Sequence, residues 1–400
     1  MTDLTTCEPL RFGLFHGPHH ATNLDPTYAF QRDLMLMEYL DRLGFDEAWI
    51  GEHHSGGFEI IATPEVFIAA AAERTKHIRL GTGVKSLPYH NPYIVAETMA
   101  QLDHMTRGRA MFGAGPGALP SDSQMFGLRP ADLRPRMEQA LEAIMPLLRG
   151  ETVSMKTDWF ELNEARLGIG CYSRPTIETA ITSVRSPAGV VAAGRYGAGV
   201  LVLGGIDDAA LKVHAEHWRI YEETAAENGH VADRASWRIT MYIHLAETRE
   251  QARKDCEYGL EKYIGYANDI VPAPNPIPRD LPDPVGYIND IQRGIVGTPD
   301  DAIREISRVQ DALGGFGAVL LFQHDWANWP ATLRSMELIA EEVRPHFTQA
   351  NRLRTDSYEK NAPHHEQYVA LARIGVAEAA ERFETARRRD TTEGASRSDR

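Results

Sequence analysis

Short apolar runs of strand length alternate along this chain with longer stretches whose apolar positions recur every three to four residues. LRFGLF (10–15) reads as a strand, and 28–43 follows as a helix with Leu34, Met37, Leu40 and Leu43 on one face. The alternation continues through strands at 47–51, 78–83 and 109–115, with helices at 63–76, 92–105 and 131–149. It pauses over 151–176, where one extra strand is expected around Trp159–Leu162. Strands at 178–183, 199–204, 237–246 and 316–322 then resume it, with helices starting at Pro187 and spanning 207–228, 249–264 and 330–346. Eight such strand–helix units predict a closed (β/α)8 TIM barrel with insertions over residues 1–347, rather than an open sheet. The Pro-rich stretch 270–284 suits neither helix nor central strand. The surrounding 265–296 is expected to be an inserted loop able to act as a lid. From 348 to 400 the chain is polar and charged, and a surface extension with one helix at 363–388 is expected.

Composition narrows the function. Hydrophobic residues make up 43% and charged residues 24%, the balance of a water-soluble globular protein. The net charge of −14 opposes binding to nucleic acid or to an anionic membrane. Cys7, Cys171 and Cys256 have no CxxC spacing and imply neither a disulfide framework nor a zinc site. The opening MTDLTTCEPL has no basic and apolar leader, so a cytoplasmic protein is expected.

A barrel carries its chemistry where the strands end. Strand one is followed by His16, His19 and His20, and strand two by Glu52, His53 and His54. The third leads into Tyr89 and His90, and the last into Gln323 and His324. Histidine titrates near neutrality, so such a rim suits acid–base work. His53 and His54 are adjacent and cannot both point inward from a regular strand, and no metal-binding spacing is present, so no metal is expected. Gly113-Ala-Gly115-Pro-Gly117-Ala118 has the form of a dinucleotide fingerprint, but Pro116 and Pro120 spoil the helix that should follow. A glycine wall that lets a flat ring approach the backbone is the better reading. In TSVRSPAG (182–189), Ser183, Arg185 and Ser186 precede a helix that starts at Pro187, a combination suited to a phosphate.

These residues resemble a known family. LDRLGFDEAWIGEHHS (40–55), the run from Thr63 to Pro92 that includes LGTG and LPYHNP, QLDHMTRGRAMFGAGPGALPSD (101–122) and SPAGVVAAGRYGAGVL (186–201) are similar to bacterial luciferase-like flavin monooxygenases, most of all to limonene monooxygenase-type members. The resemblance covers most of 10–347 and implies a (β/α)8 barrel that uses dioxygen and reduced FMN, supplied by a separate NAD(P)H-dependent flavin reductase. It implies His53 as the catalytic histidine and a cis peptide at Gly83–Val84 under the flavin ring. Gly115 would line the ring, and the phosphate would sit at Ser183, Arg185, Ser186 and Gly189. His16, His20, Glu52, His54, Tyr89 and His324 are then the expected substrate pocket. Pairing through the second and third helices, which include 63–76, implies a homodimer. The cysteine and arginine that luciferase itself carries near the flavin are replaced by Gly115 and Pro116, so light emission is not expected. The implied reaction is oxygen insertion into a small apolar, terpene-like substrate, by epoxidation or hydroxylation or by the Baeyer–Villiger route. A deazaflavin-dependent oxidoreductase and a silent luciferase-type subunit are the other readings.

Overall fold

The computed structural model describes residues 9–17, 19–272 and 276–397; Cys7, Pro18 and part of the Pro-rich stretch lie outside them. The elements run β1 (Arg11–His16), α1 (Pro26–Leu43), β2 (Glu47–Ile50), α2 (Pro64–Ala72), β3 (Arg79–Thr82), β4 (Lys85–Ser86), α3 (Pro92–Thr106), β5 (Ala110–Gly115), α4 (Pro120–Met125) and α5 (Pro130–Leu148). There follow β6 (Val153–Lys156), β7 (Glu161–Ala165), β8 (Glu178–Ser183), α6 (Ala188–Tyr196), β9 (Gly199–Val202), α7 (Asp208–Glu227), β10 (Trp237–Leu245), α8 (Arg249–Cys256), α9 (Leu260–Asp269) and α10 (Pro284–Asp290). The series ends with β11 (Gly294–Gly297), α11 (Pro299–Leu313), β12 (Ala318–Phe322), α12 (Trp329–Leu338), α13 (Arg344–Thr348), α14 (Arg352–Asn361) and α15 (His365–Arg397). Asp25, Asn91, Asp207 and Thr248 each accept a first-turn N–H, which fixes where α1, α3, α7 and α8 begin.

The strands β1, β2, β3, β5, β8, β9, β10 and β12 pair in parallel, each with the next, and β12 pairs back onto β1. The ring is closed, so the barrel has no open edge. Inside it lie Phe15, Trp49, Met111, Ala180, Leu201, Ala318 and Leu320, while a larger apolar core separates strands from helices. The floor, at the start of the strands, is ionic. Arg238 is wholly buried, its Nε lies 3.0 Å from Glu47 Oε2, and its guanidinium also binds Glu178 and sits 4.9 Å from the Trp49 ring. Burying such a pair requires that both charges be matched.

Several elements differ from the sequence reading, among them α4 and α14, which were not expected. The expected helix 249–264 breaks into α8 and α9, because a side chain on Gly259 would run into the backbone at Asp325 and the Gly259 N–H donates to Trp326 O at 3.0 Å. The expected loop 265–296 instead holds α10 and β11, and β11 pairs in parallel with β10 outside the ring. With α8 and α9 it builds a second core from Cys256, Leu260, Ile264, Ile277, Val285, Ile288 and Trp326, here termed the lid subdomain. The amphipathic α11 was not anticipated; it buries Ala302, Ile306, Val309 and Leu313. The single extra strand near Trp159 is a hairpin, β6 against β7. The described chain divides into two compact units, 1–348 and 349–400, the second made of α14 and α15. No described helix is long and apolar enough to cross a membrane.

Candidate active site

The turn after β2 carries Glu52, His53 and His54, and the two histidines point to different partners. His53 Nδ1 lies 3.1 Å from Asp122 Oδ2, on α4, and its Nε2 lies 3.4 Å from Glu59 Oε2. Burial alone would lower the pKa of His53, but Glu59, Asp122 and Glu52 outweigh it and raise it to about 9. Asp122 is fixed by the Ser55 hydroxyl at 2.5 Å and the His54 N–H at 3.2 Å, and its carboxyl is held below its usual range despite burial. Burial would raise the pKa of Glu59, yet the charge of His53 and the hydrogen bond from Tyr266 hold it below its usual range. A histidine between two carboxylates holds a proton at neutral pH and can donate it.

His54 turns the other way. Its Nε2 and that of His90 lie 3.0 and 2.6 Å from the same oxygen of Glu52, whose other oxygen takes the Ser86 N–H at 3.2 Å and Lys85 Nζ at 3.1 Å. Glu52, His54 and His90 bring three ligand-type atoms within 4.8 Å. The buried Lys85 ammonium, which also binds Glu65 at 3.0 Å, supplies the positive charge this carboxylate requires. Tyr89 stacks on Phe126 at 4.5 Å, and its buried hydroxyl points at Gly117, where a Cβ would lie 2.5 Å away.

The Gly83–Val84 peptide is cis, as the resemblance implies. Gly115 faces it: a Cβ there would run into Val84 Cγ2 and lie 3.0 Å from Thr182 Oγ1. Glycine at 115 therefore keeps the backbone of β5 flush with Val84 at the barrel mouth. Further round, Gly189 brings the start of α6 against Thr182 at the end of β8. The Ser183 hydroxyl is 3.0 Å from His217 Nδ1, Ser186 caps the Ala188 N–H, and Arg185 is exposed. The first-turn N–H groups of α6, with Ser186 and Arg185 beside them, make a donor set suited to a dianion.

The opposite wall is aromatic and comes partly from the lid subdomain. Tyr266 stacks on Phe58 at 4.6 Å, Tyr242 on Phe322 at 4.5 Å, and His324 on Trp326 at 3.9 Å. The Tyr263 hydroxyl donates to that of Tyr242 at 2.6 Å. Burial holds His19 below its usual value and His324 well below it, so both rings are neutral. His16 and His20 turn toward α1 instead: His20 lies 2.9 Å from both Asp33 and Asp325, and His16 3.5 Å from Asp33, in a closed ion network with Arg32. Of the other histidines, His104 bonds Gly170 O at the surface and His244 pairs with Asp255 beneath the lid subdomain. Sequence reading missed Glu59, Lys85, Asp122 and Tyr266. A Ser-Asp pair at the start of a short helix was the one available signal, for Asp122.

The sequence matches the luciferase-like monooxygenase family model over residues 10–314. It is 45% identical to limonene 1,2-monooxygenase of Rhodococcus erythropolis over 376 residues, 94% of this chain and 96% of that protein. It is 42% identical to 4-hydroxyprotoasukamycin monooxygenase of Streptomyces nodosus subsp. asukaensis over 349 residues, 85% of this chain and 93% of that one. Among solved structures, the oxygenating constituent of 3,6-diketocamphane monooxygenase from Pseudomonas putida, a type II Baeyer–Villiger enzyme in complex with FMN, superposes with a TM-score of 0.72 at 27% identity, covering 84% of this chain and 98% of that one. A closed parallel barrel, a histidine turn at the end of β2 and these matches together establish that the chain belongs to the luciferase-like monooxygenase family.

Proposed function

We propose that this protein binds reduced FMN and uses dioxygen to oxygenate a small apolar, terpene-like substrate. The observation that carries the reading is His53, held between Asp122 and Glu59 at the barrel mouth. The similarity to limonene 1,2-monooxygenase supports the substrate class. The residues fit FMN. The α6 start with Ser183, Arg185, Ser186 and Gly189 would hold its phosphate, and Gly83, Val84 and Gly115 would flank its ring. Bound and reduced, FMN supplies the electrons that activate dioxygen; one oxygen atom goes to substrate and the other leaves as water. His53 holds a proton for that chemistry. The aromatic wall excludes water and offers a neutral ligand dispersion contacts without a fixed charge. A histidine that retains its proton favours electrophilic delivery to an alkene or an apolar C–H bond, hence epoxidation or hydroxylation. The likeness to a Baeyer–Villiger enzyme supports ketone oxygenation as the second reading.

A separate NAD(P)H-dependent flavin reductase, a cytoplasmic location and a homodimer complete the proposal. Val66 on α2 and Ile94 and Met105 on α3 are 67%, 56% and 48% exposed, which suits a pairing face. The test loads the purified protein with photoreduced FMN, admits oxygen, and measures product and free peroxide with a monoterpene alkene and a cyclic ketone. Product from the alkene, with His53→Gln diverting the oxygen to peroxide, is the expected result. Flavin that reoxidises as it does in free solution would sink the proposal.

A further inference from the structure

Two carboxylates hold His53, and they are anchored differently. Asp122 is fixed within the barrel, by Ser55 and the backbone of His54. Glu59 is fixed from the lid subdomain: the Tyr266 hydroxyl, on α9, donates to Glu59 Oε1 at 2.8 Å while Oε2 faces His53. His19 faces the same Oε1 at 3.6 Å, but its Nδ1 lies 3.1 Å from the Gln323 carbonyl, which only accepts. At 3.6 Å the His19 Nε2 lies beyond hydrogen-bond reach of Glu59, while its Nδ1 serves the Gln323 carbonyl. Among the described residues, Tyr266 is the neutral group that donates a hydrogen bond to this carboxylate.

We propose that Tyr266 is a positioning residue for oxygenation: its hydroxyl sets Glu59 against His53, so that the second carboxylate is in place only while the lid subdomain is seated on the catalytic turn. The proposal rests on the role given to His53 above and adds what governs its charge. Seating the aromatic wall over the substrate and securing the His53 proton become one event. The charged and titratable groups facing His53 are Glu59 and Glu52 on its own segment, Asp122 on α4 and His19 after β1, with Tyr266 acting through Glu59.

The test is a titration of the full-length, flavin-free protein labelled at histidine, read by NMR, with the His53 resonance assigned by its loss in His53→Gln. Tyr266→Phe keeps the ring on Phe58 and removes only the hydroxyl. Its His53 midpoint is expected to fall by roughly 0.5–1 pH unit, and that of Glu59→Gln by roughly 1–2 units. In the double variant Tyr266→Phe adds nothing to Glu59→Gln. An unchanged midpoint in Tyr266→Phe overturns the proposal, as does a double variant that falls further than Glu59→Gln alone. Amide exchange over 52–61 monitors seating of the lid: normal protection with a lowered midpoint supports the positioning role, whereas lost protection with an unchanged midpoint refutes it. No flavin is present, so this result and the oxygen-coupling test above fail independently.

Discussion

Replacing Arg238 with methionine removes the cation from the barrel floor and strands Glu47, whose side chain is 1% exposed. Breaking a buried pair by removing one partner costs about 3–5 kcal/mol. The lower part of that range applies here, because Arg11 Nε lies 3.8 Å from Glu47 and is 28% exposed, so it can take over part of the contact. Glu178 keeps Arg79, at 2.5 Å. The 1–348 unit, at ~2.1 cal/mol/K per residue, has an unfolding entropy of ~0.7 kcal/mol/K, so a loss in the lower part of that range amounts to a fall of about 4–5 °C in Tm. Differential scanning calorimetry at one scan rate measures it. Adding Glu47→Leu removes the stranded charge, and most of the loss should return. FMN affinity should be unchanged, since the floor is at the end of the barrel opposite the mouth. A single variant that loses under 1 °C, or a double variant no better than the single, would refute the account of the floor as a matched ionic plug.

Other expectations concern the rim and the surface. Ser183→Ala should weaken FMN binding about tenfold, and Arg185→Ala, being exposed, about threefold, both read by fluorescence titration of the flavin. Burial would lower the pKa of His20, but Asp325 and Asp33 raise it to about 9. A raised value means stability that is fully present below about pH 6.5 and lost as pH rises through 9. His20→Asn should flatten that alkaline decline in urea titrations, and an unchanged slope would count against the network. Val66→Lys with Ile94→Lys should turn a dimer into a folded monomer in sedimentation velocity.

The barrel was legible because most of its strands are short, largely apolar runs set off by turns, as in GVLVLG and FGAVLLF. α11 was hidden because eight of its 15 residues are charged or polar and only a stripe, Ala302 to Leu313, is buried. The lid subdomain was hidden by its prolines, which forbid long elements but permit α10, where Pro284 occupies the first position. At the site, the EHH turn pointed to Glu52 and His53. What charges His53 could not be read from the sequence, because Glu59 meets Tyr266 across 207 residues and neither lies in a recognisable pattern. The histidines after β1 looked equivalent in sequence, yet Asp33 on α1 draws His16 and His20 away from the mouth while Gln323 holds His19 in it.

The separate core of the lid subdomain has a consequence for how such enzymes diversify. One part of the site, with Val84, Gly115 and the start of α6, is carried by the barrel; much of the other wall, with Tyr263 and Tyr266, is carried by a segment that packs mainly on itself and on one edge of β10. Substitutions among Ile264, Ile277, Val285 and Ile288 can reshape the proposed substrate wall with little strain on the residues proposed to hold the flavin. Substrate preference can therefore drift while cofactor chemistry stays fixed, provided an exchanged segment still matches the contacts of Tyr266 with Glu59 and Phe58 and of Tyr263 with Tyr242.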